Sequence, residues 1–165
     1  MKVIEQLDRY SATFDRISVD LLQAGYALRF TAQGKSMSPL IREGDVVLIE
    51  PIGSQLPKPS EIVFFINKQG DLVLHRVLKR WKKDDKFLYL LKGDQVAKTD
   101  GIYEKAKIVG RLKAIEREES FLSIDKPAFK ALNWLAYLRS RTGLGSQRKF
   151  SGLLMKSKLF SKYLD

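Results

Sequence analysis

Between Tyr26 and Ile124 the apolar residues fall in short β-prone runs separated by turn residues, and no helical period survives across that stretch. This pattern constrains the fold more than any other feature, because such runs bury their apolar faces only by pairing with one another. The candidate strands are Tyr26 to Thr31, Asp45 to Glu50, Glu61 to Ile66, Leu72 to Trp81, Lys86 to Leu91 and Ile108 to Glu116. Strands of this number and spacing predict a folded β-sheet or barrel. Pro51, Gly53, Pro57 and Pro59 mark one loop, and Gln69-Gly70 and Asp84-Asp85 mark two hairpin turns.

Both flanks read as helical. Val3, Leu7, Tyr10, Phe14, Ile17 and Leu21 recur at steps of three and four, which predicts one continuous amphipathic helix from Val3 to Leu22, ending near Gly25 and docked on the domain. Beyond Glu119 a second helix is expected, with Asp125 as N-cap and Pro127 in the first turn. Phe129, Leu132, Leu135, Ala136 and Leu138 form its apolar face, and Trp134 and Tyr137 add aromatic bulk. Gly143 and Gly145 stop it, and Leu153, Leu154, Leu159, Phe160 and Leu164 come after them among five lysines and arginines. The expected organisation is a helix over 1–25, a β-rich domain over 26–124 and basic amphipathic helices over 125–165, mainly β overall.

Composition removes several chemistries. The 165 residues include no cysteine, which excludes disulfides, thiolate zinc sites and a Cys nucleophile. The single histidine, His75, excludes a multi-histidine metal centre, so no metal or cofactor is expected and any imidazole chemistry runs through His75. No apolar run approaches the roughly 20 residues of a membrane-spanning helix, and charges interrupt the N-terminal runs before they reach the length of a secretory core. The default compartment is therefore the cytoplasm, with peripheral membrane attachment as the alternative. Net charge is +11, of which Lys126 onward supplies +8 from nine Lys or Arg against one acid, Asp165. A basic tail of this kind suits an anionic membrane surface, nucleic acid or an acidic protein face, and a solvated surface explains it equally well.

The segment with most chemical content is Gly34-Lys35-Ser36-Met37-Ser38-Pro39, with Gly44-Asp45 beyond it at the opening of a β run. A serine on a tight turn between strands presents its hydroxyl and nearby backbone N–H groups to one point, as acyl transfer requires. Alone, the tetrapeptide at 36–39 more often marks an ordinary turn. The order of the later motifs carries more weight: Leu74-His75-Arg76-Val77 in a downstream strand, then Lys92-Gly93-Asp94, then Asp100. From about Phe30 to Arg117 this succession resembles the signal-peptidase and SOS-repressor superfamily of serine proteases, S24 and S26.

The resemblance implies Ser36 as nucleophile. Bacterial signal peptidases and self-cleaving repressors use a lysine base, whereas the corresponding position here is His75, similar to the endoplasmic-reticulum and archaeal branch with its Ser-His-Asp set. Resemblance to that branch favours Asp100 as the carboxylate that orients His75. Asp94 is expected to hold its loop through backbone hydrogen bonds, and Lys79 and Lys92 to be surface lysines. Gly34, Met37 and Pro39 are supporting positions of the nucleophile turn. Gly34 departs from the many signal peptidases with a serine there, and loss of one oxyanion donor costs roughly 10²–10³ in rate. The backbone N–H of Ser36 remains as a donor. Ser60-Glu61, in place of the usual Gly-Asp, is expected to alter only a turn.

The resulting functional expectation is a serine endopeptidase acting on a peptide or protein. One alternative is a non-catalytic peptide-binding module that uses strand addition and a basic tail. Another is a self-cleaving DNA-binding repressor, which a single N-terminal helix argues against, because a helix-turn-helix needs two; nucleic acid is therefore not an expected partner.

Overall fold

The computed structural model describes residues 3–5, 12–118 and 120–142. The chain runs β1 (Val3–Glu5), α1 (Ala12–Gln23), β2 (Ala27–Thr31), β3 (Val46–Pro51), β4 (Ile62–Ile66), β5 (Leu72–Lys83), β6 (Lys86–Lys92), β7 (Gly101–Glu104), β8 (Ile108–Arg117), β9 (Ser120–Ser123) and α2 (Pro127–Arg141). All the strands join one sheet in the order β1-β2-β3-β8-β4-β5-β6-β7, with β9 added to β8. Every pairing is antiparallel except that of β1 with β2. β8 organises the sheet: residues 110–116 pair with β3 along one edge, while 108–111 and 114–117 pair with β4 and β9 along the other.

The mainly β fold and all six expected strands are present, with ends shifted by a residue or two. β1, β7 and β9 are additional, and at three or four residues they are too short to show a period. The helix expected from Val3 is corrected: Val3–Glu5 is a strand paired in parallel with Ala27–Arg29, and the helix begins at Ala12. The β-branched pair Val3-Ile4 suits that strand. Leu7 and Tyr10 of the expected stripe, and the basic segment from Gly143, lie outside the described residues. Within α1 the most buried side chains are Phe14, Ser18 and Leu22, while Ile17 and Leu21 sit on its shoulder. Asp84 and Asp85 both adopt left-handed φ, +47° and +58°, as a two-residue hairpin turn between β5 and β6 requires.

The core has two parts. One gathers Phe14 and Leu22 of α1, Phe30, Met37, Ile49, Phe64, Leu112 and Phe129 of α2. The other, formed by Val63, Phe65, Val77, Tyr89, Leu91, Tyr103 and Ile108, lies in the β4–β7 region.

α2 turns only part of its expected face inward. Leu135 and Leu138 are 45% and 40% exposed, whereas Phe129, Leu132, Tyr137 and Ser140 are buried. Polar anchoring explains the rotation. Asn133 Nδ2 donates to the Ser60 carbonyl at 3.1 Å, the Tyr137 hydroxyl to the Leu78 carbonyl at 3.3 Å, and Lys92 Nζ to the Ser140 carbonyl at 2.8 Å. Nor does Asp125 cap this helix: the N-cap is Lys126, with Pro127 next to it, and Asp125 pairs instead with Lys113 at 3.0 Å.

Arg76 is the hub of this anchoring. It is fully buried on β5 and donates to both carboxylate oxygens of Asp94, at 2.7 and 2.6 Å. Its remaining Nη1 donates to the Ser60 carbonyl at 2.8 Å and to the Asn133 side chain. Asp94 therefore holds its loop through a guanidinium rather than through backbone amides, which corrects the expectation from sequence. Removing one partner strands a buried charge, at a cost of about 3–5 kcal/mol, whereas an exposed ion pair is worth less than about 1 kcal/mol. Asp94→Ala is accordingly expected to lower unfolding stability by about 3–5 kcal/mol in a denaturant titration. Lys82→Ala, which removes the exposed Lys82–Asp85 pair, should cost under about 1 kcal/mol; equal losses would refute the hub.

Candidate active site

Ser36 sits on the connection from β2 to β3, a loop closed at its base by Ala32 N–H to the Asp45 carbonyl at 2.7 Å and Gly44 N–H to the Ala32 carbonyl at 2.9 Å. The Asp45 carboxylate, 4% exposed, reinforces that closure. It accepts the Arg42 N–H at 2.7 Å and two bonds from the Arg117 guanidinium at 2.8 and 2.7 Å. Gly34 takes φ +77°, a left-handed turn that disfavours a side chain there although the space beyond it is open. Met37 is buried in the core beside the nucleophile position, Pro39 is half-buried, and Ser36 is left at the surface of the loop, half-buried.

His75 lies on β5 opposite Val63 of β4 and is 6% exposed. Its ring packs near Phe65, 6.2 Å between centroids, and Phe65 in turn meets Tyr103 edge-on at 4.8 Å. The imidazole bridges the two other expected residues. Nε2 is 3.0 Å from the Ser36 hydroxyl, and Nδ1 is 2.7 Å from Asp100 Oδ2. Asp100 immediately precedes β7, where its N–H donates to the Leu91 carbonyl at 3.0 Å and its carbonyl accepts the Tyr103 hydroxyl at 3.3 Å. Residues 39 and 25 positions apart thus form one hydrogen-bonded line. A carboxylate on Nδ1–H leaves the Nε2 lone pair facing the serine proton.

The remaining candidates separate cleanly. Arg76 and Lys92 are partners across β5 and β6, so the alternation of a strand puts both on the face opposite His75. Lys92 is 3% exposed, not a surface residue, and burial lowers its pKa, while the nearby Asp94 carboxylate works in the opposite direction. Its ammonium is committed to Ser140, away from Ser36. Lys79 is exposed and lies over the Trp81 ring at 5.7 Å. Among the described residues, His75 is the base within hydrogen-bond reach of the Ser36 hydroxyl.

Gly93 and Gln95 escaped the sequence reading. A Cβ on Gly93 would stand 2.9 Å from His75 Nε2 and 3.0 Å from the Ser36 carbonyl oxygen, so only glycine fits between them. Gln95 N–H donates to that same Ser36 carbonyl at 2.8 Å and joins the two loops. The sole signal in the sequence was the Lys-Gly-Asp triplet, which does not reveal what the glycine approaches.

No curated protein matches the sequence. A family model described as Peptidase S24-like matches residues 2–113, a span that contains Ser36, His75 and Asp100 and ends within β8. By that match over more than half of its length, the chain belongs to the Peptidase S24-like family.

Proposed function

We propose that this protein is a serine endopeptidase with Ser36 as nucleophile, His75 as general base and Asp100 as the group that orients His75. The observation that carries the reading is the hydrogen-bonded line from the Ser36 hydroxyl through both ring nitrogens to Asp100, at 3.0 and 2.7 Å. The Ser36 oxygen attacks a peptide carbonyl carbon while Nε2 takes the hydroxyl proton. The tetrahedral oxyanion then collapses, the C–N bond breaks, and the imidazolium returns the proton to the leaving amine. Water, deprotonated by the same imidazole, releases the acyl group and restores Ser36. A histidine base in an S24-like chain favours the Ser-His-Asp branch of the wider superfamily. A peptide or protein is the substrate class. The Ser36 N–H is the oxyanion donor on this reading, and Gly34 contributes no hydroxyl, which predicts a slow enzyme.

A self-cleaving repressor would direct the same Ser36 at a bond of its own chain. The non-catalytic peptide-binding reading predicts an unreactive Ser36.

Wild-type protein exposed to a serine-reactive phosphonate should gain one adduct, mapped to Ser36 and absent from Ser36→Ala. His75→Ala should slow labelling roughly 10²–10⁴-fold. A folded wild type that takes no adduct would favour the binding module instead. Gly93→Ala should leave the fold intact by circular dichroism yet reduce the labelling rate at least about tenfold, because its methyl group enters the 2.9 Å gap beside His75 Nε2. Labelling at the wild-type rate would show that the loop yields freely.

A further inference from the structure

On the face of the β5–β6 hairpin opposite His75 lies a groove of about 550 Å³, walled by that hairpin, by the loop leading to Asp100 and by the end of α2. Lys79, Lys92 and Arg141 line it, and among the described residues no carboxylate does; Arg80 also borders it, but its guanidinium donates to the Leu56 and Pro57 carbonyls at 3.1 and 3.2 Å. Asp94, whose charge acts on Lys92, is held by the Arg76 guanidinium. Lys92 is itself buried, 3% exposed, and carries its charge at the bottom of the groove against the Ser140 carbonyl. Ser140, 2% exposed, also stands at this wall, and its hydroxyl has no hydrogen-bond partner among the described residues.

We infer that this groove binds an acidic peptide segment, a carboxylate side chain engaging the cations while neighbouring apolar side chains lie on Pro59, Leu78 and Leu90. The volume exceeds what one inorganic oxyanion fills, and the walls alternate apolar and cationic groups, which suits a peptide better than a free ion. The chain's own segment from Gly143 carries five Lys or Arg against one acid, so it does not complement the groove, and the ligand belongs to another polypeptide. A bound carboxylate would also offset the desolvation that lowers the Lys92 pKa. Thr99 lines the same groove and directly precedes Asp100, so an occupant touches the loop that carries the orienting carboxylate.

Full-length Ser36→Ala protein, which cannot cleave by the proposed route, is the material for the test, so binding is judged separately from proteolysis. A fluorescent ten-residue peptide of alternating Glu and Leu should bind saturably by anisotropy in low salt, and its Gln-for-Glu counterpart about tenfold or more weaker. Adding Lys79→Glu and Arg141→Glu, both at exposed positions, should weaken the acidic peptide about 100-fold while circular dichroism stays unchanged. Inorganic phosphate at matched ionic strength should not displace it appreciably. Unchanged affinity in the doubly reversed variant would assign any binding to the basic segment from Gly143 and overturn the inference. Equal binding of the Gln peptide, efficient displacement by phosphate, or no saturable binding would overturn it as well.

Discussion

A guanidinium at zero exposure is among the most expensive groups a domain of this size can bury, and Arg76 is tolerable only because its surroundings are built to satisfy it. Asp94 takes two of its bonds, the Ser60 carbonyl and the Asn133 side chain take others, and these partners come from three separate parts of the chain. The penalty for leaving Arg76 unpaired therefore acts as a positional constraint. It seats α2 on the sheet, fixes the loop after β6 and closes the segment before β4. Replacing such a cluster by apolar residues of similar volume can be neutral for stability. What the cluster supplies here is registration.

That registration reaches the candidate site because β5 carries His75 and Arg76 at consecutive positions. Strand alternation points His75 to one face and Arg76 to the other, so one rigid strand links the structural anchor to the imidazole. The loop that Arg76 holds by Asp94 begins with Gly93, against His75 and the Ser36 carbonyl, continues through Gln95, which bonds that carbonyl, and ends at Asp100. A second buried pair, Arg117 with Asp45, performs the same service for the Ser36 loop. The candidate site thus rests on two arginine–carboxylate clamps, each tying a loop to a strand, with Ser36, His75 and Asp100 between them. Holding reacting groups within hydrogen-bond reach before substrate arrives is where much of the catalytic advantage of such sites originates.

The same hairpin accounts for an unusual distribution of charge. On its reverse face Lys92 stays inside the protein at a lowered pKa, with Lys79 and Arg141 lining the same groove and no carboxylate along it among the described residues. Elsewhere the cations of the sheet are largely paired: Arg29 with Glu116, Arg111 with Glu50, Lys113 with Asp125. A chain with net charge +11 has cations to spare, but their convergence around a buried one is a property of the fold.

Local sequence was enough for the β-rich middle, its six longer strands and the greater part of the flanking helices α1 and α2, and resemblance to a protease superfamily pointed to Ser36, His75 and Asp100. Period, turn chemistry and the single imidazole are local properties, and the order of the Ser36, His75 and Asp100 motifs is readable along the chain. The folded arrangement settled whatever depends on distant partners. Val3–Glu5 became a strand because β2 offered it an edge, and α2 turned Leu135 and Leu138 outward because Asn133, Tyr137 and Ser140 had bonds to make with the sheet and its loops. Asp94 found a guanidinium instead of its own loop, and Gly93 acquired a steric reason only once His75 and the Ser36 carbonyl stood beside it. One cause is common to all of these: satisfying a buried polar group or clearing a 3.0 Å contact is a condition on two parts of the chain at once, and no window of sequence contains both.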